Sequence, residues 1–142
     1  MRQSVHVSVS THGPRHLAST GSPWEPKVGY SRAVRIGSTI AVTGTLGLEA
    51  DGSLAPSAGA QARRALAIIL ASIEALGGSA SDVIRTRIYV TNLDHWPEIA
   101  EEHAEIFAAI RPATTMVEVS RLMTPEALVE IEADAVVTPK TP

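Results

Sequence analysis

The run from Leu128 to Val137, LVEIEADAVV, alternates apolar and mostly acidic residues with a period of two. No other stretch constrains the fold so tightly. Successive side chains of a β-strand point to opposite faces. Val129, Ile131, Ala133 and Ala135 therefore form an apolar face, and Glu130, Glu132 and Asp134 an acidic one. Such a strand needs a core on one side. Its other side suits a polar subunit interface or a ligand site better than a dry interior.

The remaining patterns supply what that core is made of. Thr114 to Ser120 alternates in the same way, with Thr115, Val117 and Val119 opposed to Thr114, Met116, Glu118 and Ser120. Val83 to Thr91 reads as a third strand: Ile84, Thr86, Ile88 and Val90 face helices, and Arg85, Arg87 and Tyr89 face away. Tyr30 to Ile36 and Thr39 to Thr45 make a hairpin about Gly37-Ser38. Ala58 to Leu76 is a helix, because Ala62, Ala65, Leu66, Ile69, Ile73 and Leu76 recur at three- and four-residue steps. Gly77-Gly78 ends it. A second helix starts at Asp94 or His95 with Pro97 in its first turn. Its face is Trp96, Ile99, His103, Ile106, Phe107 and Ile110, and it stops at Arg111-Pro112. The order β-β-α-β-α-β-β predicts an α+β fold, a mixed sheet with two helices packed on one face.

A length of 142 residues fits a single domain over 1–142, with 1–21 as an N-terminal extension or edge strand built on VHVSVS. Only two Trp, two Tyr and one Phe are present, so aliphatic residues do most of the packing. No apolar run approaches the roughly 20 residues of a membrane span. The absence of cysteine rules out disulfides and thiol chemistry and fits a cytoplasmic protein. A net charge of −3 argues against nucleic acid, which demands clustered cations. The one adjacent basic pair, Arg63-Arg64, is expected on a solvated helix face. His12 and His16 have i,i+4 spacing but no third ligand, so no metal is expected.

Arg111-Pro-Ala-Thr-Thr-Met-Val-Glu-Val119, followed by Leu128-Val-Glu-Ile-Glu-Ala133, resembles the RidA/YjgF family, also called L-PSP endoribonucleases. Gly29-Tyr-Ser-Arg-Ala-Val34, Thr43-Gly-Thr45 and the stretch from Gly77-Gly78 to Thr91 match in the same order, so the likeness runs from about Ser22 to Val137. It implies a chorismate-mutase-like fold, closed as a trimeric barrel with small-molecule sites in the clefts between subunits. It also implies deamination of imines and enamines without metal or cofactor.

Carried over by position, the resemblance makes Glu130 the catalytic residue that positions water. Tyr30 matches a pocket tyrosine, and Thr43 stands where the family has a serine. Thr114 stands where the deaminase branch has an arginine that grips the substrate carboxylate. Loss of that bidentate contact costs about 2–4 kcal/mol of binding, or about thirtyfold to a thousandfold in affinity. Ala100 and His103 replace residues that are often Asn and Tyr. Arg87 is a candidate substitute anchor, with an interfacial ion pair to Glu118, Glu130 or Glu132 as its structural alternative. His103 is a candidate for proton transfer, weighed against a hydrogen-bonded core role. Trp24 and Glu25 are placed to roof the pocket. Two readings follow: a hydrolase of imine or related C–N bonds, and a ligand-binding or regulatory trimer that has lost deaminase activity. Ribonuclease activity fits poorly with the charge.

Overall fold

The computed structural model describes residues 4–139. Its strands are β1 (Ser8–His12), β2 (Arg15–Ser19), β3 (Ala33–Ile36), β4 (Thr39–Leu46), β5 (Val83–Val90), β6 (Ala113–Glu118) and β7 (Val129–Val136). Three helices accompany them: α1 (Trp24–Val28), α2 (Ala58–Ala75) and α3 (Trp96–Phe107). The strands form one mixed sheet in the order β1-β2-β3-β4-β7-β5-β6. Among the described residues only β5 and β6 pair in parallel. A parallel pair needs a crossover, and α3 supplies it. The fold is the α+β architecture that the patterning predicts.

The two-residue period explains why β7 is central. Val129, Ile131, Ala133 and Ala135 are all buried, in one core with Leu66, Ile69 and Ile73 of α2 and Ile99 and Phe107 of α3. The acidic face of β7 points away from the helices. Ser57 caps α2 by accepting the Ala60 N–H at 3.2 Å. Past its C-terminus Gly77 takes φ 87°, a conformation that favours glycine. At the other end of the β4–α2 contact, a Cβ on Gly47 would lie 2.1 Å from the Gln61 carbonyl oxygen. Strand end and helix backbone therefore touch.

Gln61 joins separate parts of this core. Its Nε2 donates to the Ala55 carbonyl at 2.7 Å and the Glu126 carbonyl at 3.1 Å, while its Oε1 accepts the Leu128 N–H at 2.8 Å. The chain is thereby clamped immediately before β7.

Several local expectations are corrected. The N-terminal region forms a complete hairpin, β1 with β2, rather than one edge strand. The hairpin around Gly37-Ser38 is as expected, but its first strand begins at Ala33, not Tyr30. Helix α1 occupies the preceding stretch, and Gly29 ends it at φ 89°. Ile84 does not face the helices: it is 52% exposed, whereas Val83 is 3% exposed. The β5–β7 register slips between Val83 and Arg85, and this bulge rotates the side chains. Trp96 is 55% exposed, because a 3₁₀ turn over Leu93–His95 leads into α3 and the buried stripe starts only at Ile99. The Arg63-Arg64 pair is divided. Arg63 forms an exposed ion pair with Glu102, whereas Arg64 is 9% exposed and donates to the Leu48 carbonyl at 2.9 Å. Adjacent helical residues diverge by about 100°, so only one of them reaches water. No helix among the described residues is long and apolar enough to cross a membrane.

Candidate functional site

The face of the sheet opposite α2 and α3 gathers much of the polar chemistry. Val42 pairs with Ala133 and Thr45 with Ile131, so Thr43 and Gly44 together oppose Glu132. This bulge interrupts the β4–β7 ladder next to Glu130. A Cβ on Gly44 would stand 2.9 Å from Glu130 Oε1. Glycine at 44 therefore allows the carboxylate to lie against the bulge.

Arg32 organises the same corner. Its Nη1 donates to the Gly44 carbonyl at 2.9 Å and to Thr45 Oγ1 at 3.2 Å. Its guanidinium carbon lies 5.7 Å from the centre of the Tyr30 ring. Tyr30, Arg32, Gly44 and Glu130 thus form a continuous sequence of neighbours. Burial pushes the Glu130 carboxyl above its ordinary range, Arg32 opposes that rise, and Glu132 reinforces it. A carboxyl held this way is a stronger base when ionised than one in open water.

Tyr30 and Thr43 line a cleft of about 600 Å³ on this face, together with Arg15, Glu25, Glu132 and Asp134. Arg87 lies farther along the same face, 3.3 Å from Asp134 Oδ2 and 3.8 Å from Glu132 Oε1. Within the chain Arg87 thus meets Glu132, one of the expected carboxylates, and Asp134 in addition. Tyr89 donates a short hydrogen bond to Glu132. That bond and burial hold the phenol above its usual range. Trp24 is 61% exposed and lies outside the cleft lining, with Lys27 Nζ 5.2 Å from its ring. Glu25 and Pro26 of α1 line the cleft instead.

Thr114 and His103 occupy the other side of the sheet. Thr114 is the register partner of Thr86, which is fully buried. The two hydroxyl oxygens are 2.8 Å apart, and Thr86 Oγ1 is 2.9 Å from His103 Nε2. Thr114 also donates to the Pro112 carbonyl at 3.1 Å. The His103 ring packs on Phe107 with centroids 4.7 Å apart, and burial lowers the imidazole pKa. Within one chain, Tyr30, Thr43, Glu130 and Arg87 share a face, while Thr114 and His103 share the opposite one.

Two participants escape sequence reasoning. Arg32 sits inside the Gly29–Val34 motif, but nothing in the pattern shows that it reaches the β4 bulge. Thr86 reads as a core strand residue until its hydroxyl partners are seen. Among the described residues, no group of three or more His, Cys, Asp or Glu is placed to hold a metal ion.

Residues 20–137 match the family model described as Endoribonuclease L-PSP. The hairpin of β1 and β2 precedes the matched stretch. A Mycobacterium tuberculosis member of the YjgF/YER057c/UK114 family has a similar solved structure: TM-score 0.80, 48% identity, covering 87% of this chain and 99% of that one. A 2-iminobutanoate/2-iminopropanoate deaminase of Dermatophagoides farinae is 30% identical over 126 residues, 87% of this chain and 98% of that protein. The structure of Escherichia coli TdcF with bound serine superimposes with a TM-score of 0.73 at 29% identity, covering 77% of this chain and 88% of that one.

Proposed function

Because the chain belongs to the endoribonuclease L-PSP family, the RidA/YjgF group, we propose that it hydrolyses the C–N bond of a small imine or enamine. The cleft would lie between subunits of a homotrimer in the cytoplasm. The observation that carries the hydrolytic reading is Glu130: a half-buried carboxyl against Gly44, balanced by Arg32 and on the same face as Tyr30 and Thr43. In the reaction, water oxygen attacks the imine carbon while Glu130 accepts a proton from that water. The proton passes to nitrogen, the carbinolamine collapses, and a carbonyl compound and ammonia leave. Tyr30 and Thr43 orient the substrate. Water and a carboxylate suffice, so the reading calls on no metal or cofactor.

The division of candidates between the two faces supports assembly. Strand β5 separates β6, which carries Thr114, from β7, which carries Glu130. One pocket can use both only if Thr114 of one copy meets Glu130 of another. A second reading, a ligand-binding or regulatory trimer without turnover, is favoured by the lack of charge at Thr114. Sedimentation at micromolar subunit concentration tests the trimer, and a monomer overturns the intersubunit cleft. Imine hydrolysis above the spontaneous rate, abolished by Glu130→Gln, supports the first reading. The spontaneous rate with both a carboxylated and an uncharged imine selects the second.

A further inference from the structure

We infer that this site takes an uncharged imine, such as one derived from an aldehyde, in preference to an imine bearing a carboxylate. The inference rests on the hydrolytic reading and names its substrate class. It starts from the hydrogen-bond chain at the edge of the sheet. Thr114 has one hydroxyl proton and gives it to the Pro112 carbonyl. The 2.8 Å contact with Thr86 must then be donated by Thr86, and the 2.9 Å contact with Thr86 by His103 Nε2. The imidazole is thereby fixed with its proton on Nε2, and burial keeps it neutral near pH 7. Imidazole, two hydroxyls and a carbonyl make a chain with no net charge. A ligand that meets Thr114 finds a single neutral hydroxyl, which can be redirected from the Pro112 carbonyl.

On the opposite face, the guanidinium groups beside Glu130 and Glu132 already have partners. Arg32 is turned to the Gly44 carbonyl and Thr45, and Arg87 to Asp134 and Glu132. The cleft beside Tyr30 and Thr43 is lined by the carboxylates Glu25, Glu132 and Asp134 and by the guanidinium Arg15, and Arg87 pairs with Glu132 and Asp134, which leaves the carboxylates in excess by one. Carboxylates repel an anion brought among them. Hydroxyls suit a ligand that needs a hydrogen bond but no countercharge.

The test uses two imines that differ only by a carboxylate, each made in situ by a flavin oxidase. These are propan-1-imine from propylamine and 2-iminobutanoate from 2-aminobutanoate. Semicarbazide trapping follows imine loss. The expected result is a kcat/KM at least about tenfold higher for propan-1-imine, with Thr114→Arg moving the ratio at least about tenfold toward 2-iminobutanoate. Equal rates, or a preference for 2-iminobutanoate in the unmodified protein, overturn the inference. If neither imine is accelerated, the hydrolytic reading fails by itself. Calorimetry with butanamide and butanoate then decides the charge preference: tighter butanamide upholds it and tighter or equal butanoate overturns it.

Discussion

Replacing Gln61 by Leu removes three hydrogen bonds and leaves a side chain of similar size. The lost partners are the Ala55 carbonyl, the Glu126 carbonyl and the Leu128 N–H. Residue Glu126 is exposed, so water can replace the bond to its carbonyl. Ala55 and Leu128 are only part-exposed, and Leu contributes neither donor nor acceptor there. An unsatisfied buried polar group costs about 1–3 kcal/mol. With the two groups partly open to solvent, the expected loss is about 2–4 kcal/mol in total. Leu also buries more apolar surface than Gln, which pulls the figure toward the lower end. Urea denaturation at fixed subunit concentration measures it, since any assembly makes stability depend on concentration. The midpoint should fall while the denaturant slope stays constant. A loss below about 1 kcal/mol would refute the reasoning, because it would mean that water reaches all three groups. Gln61 also holds Leu128, two residues before Glu130, so the variant should lose hydrolysis beyond what its folded fraction explains.

Removing the charge of Arg32 by Arg32→Met should raise the acid limb of the kcat/KM profile. Glu130 already titrates above its ordinary 4.5 through burial, and Arg32 is what restrains the rise. An unmoved or lowered limb would show that Glu130 does not set it. The stability sign runs the other way for Glu130→Gln: a carboxyl whose folded pKa is raised loses stability as pH rises from 4.5 through that folded value. Relative to the parent, the Gln variant should therefore gain stability in thermal melts as pH rises above 4.5, and a constant difference would count against the burial of Glu130. Gly47→Ala places a methyl against the Gln61 backbone oxygen and should cost about 1–3 kcal/mol; an unchanged midpoint would mean that β4 and α2 separate freely. Ser57→Ala should cost about 1 kcal/mol by uncapping α2, and a change within error would show that the cap bond is not formed in solution.

Periodicity carried the strands and helices that bury a continuous face. The stripes of α2 and β7 match the core almost residue for residue, since burial imposes the period. It failed where one residue is inserted. The bulge near Val83 turns Ile84 outward, and no alternation rule announces a bulge. Helix α1 was missed because one and a half turns do not establish a period, and Pro23 reads equally well as a break. The site was legible only as residue types. Tyr30, Thr43 and Glu130 could be named from motif positions, but Arg32 acquires its place through contacts across the β3–β4 hairpin. The pairing of Thr86 with Thr114 arises from a parallel register that the α3 crossover determines, and local sequence does not encode it.

Within one chain the sheet lies between Thr114 and Glu130 as a partition. A replacement at 114 meets Thr86 and the Pro112 carbonyl and leaves Arg32, Gly44 and Glu130 undisturbed. Within one chain a replacement at 114 can therefore change ligand preference without repacking the surroundings of Glu130, and coupling between the two positions arises only across the proposed subunit interface. A charge lost or gained at the sheet edge thus leaves the carboxylate of its own chain in place.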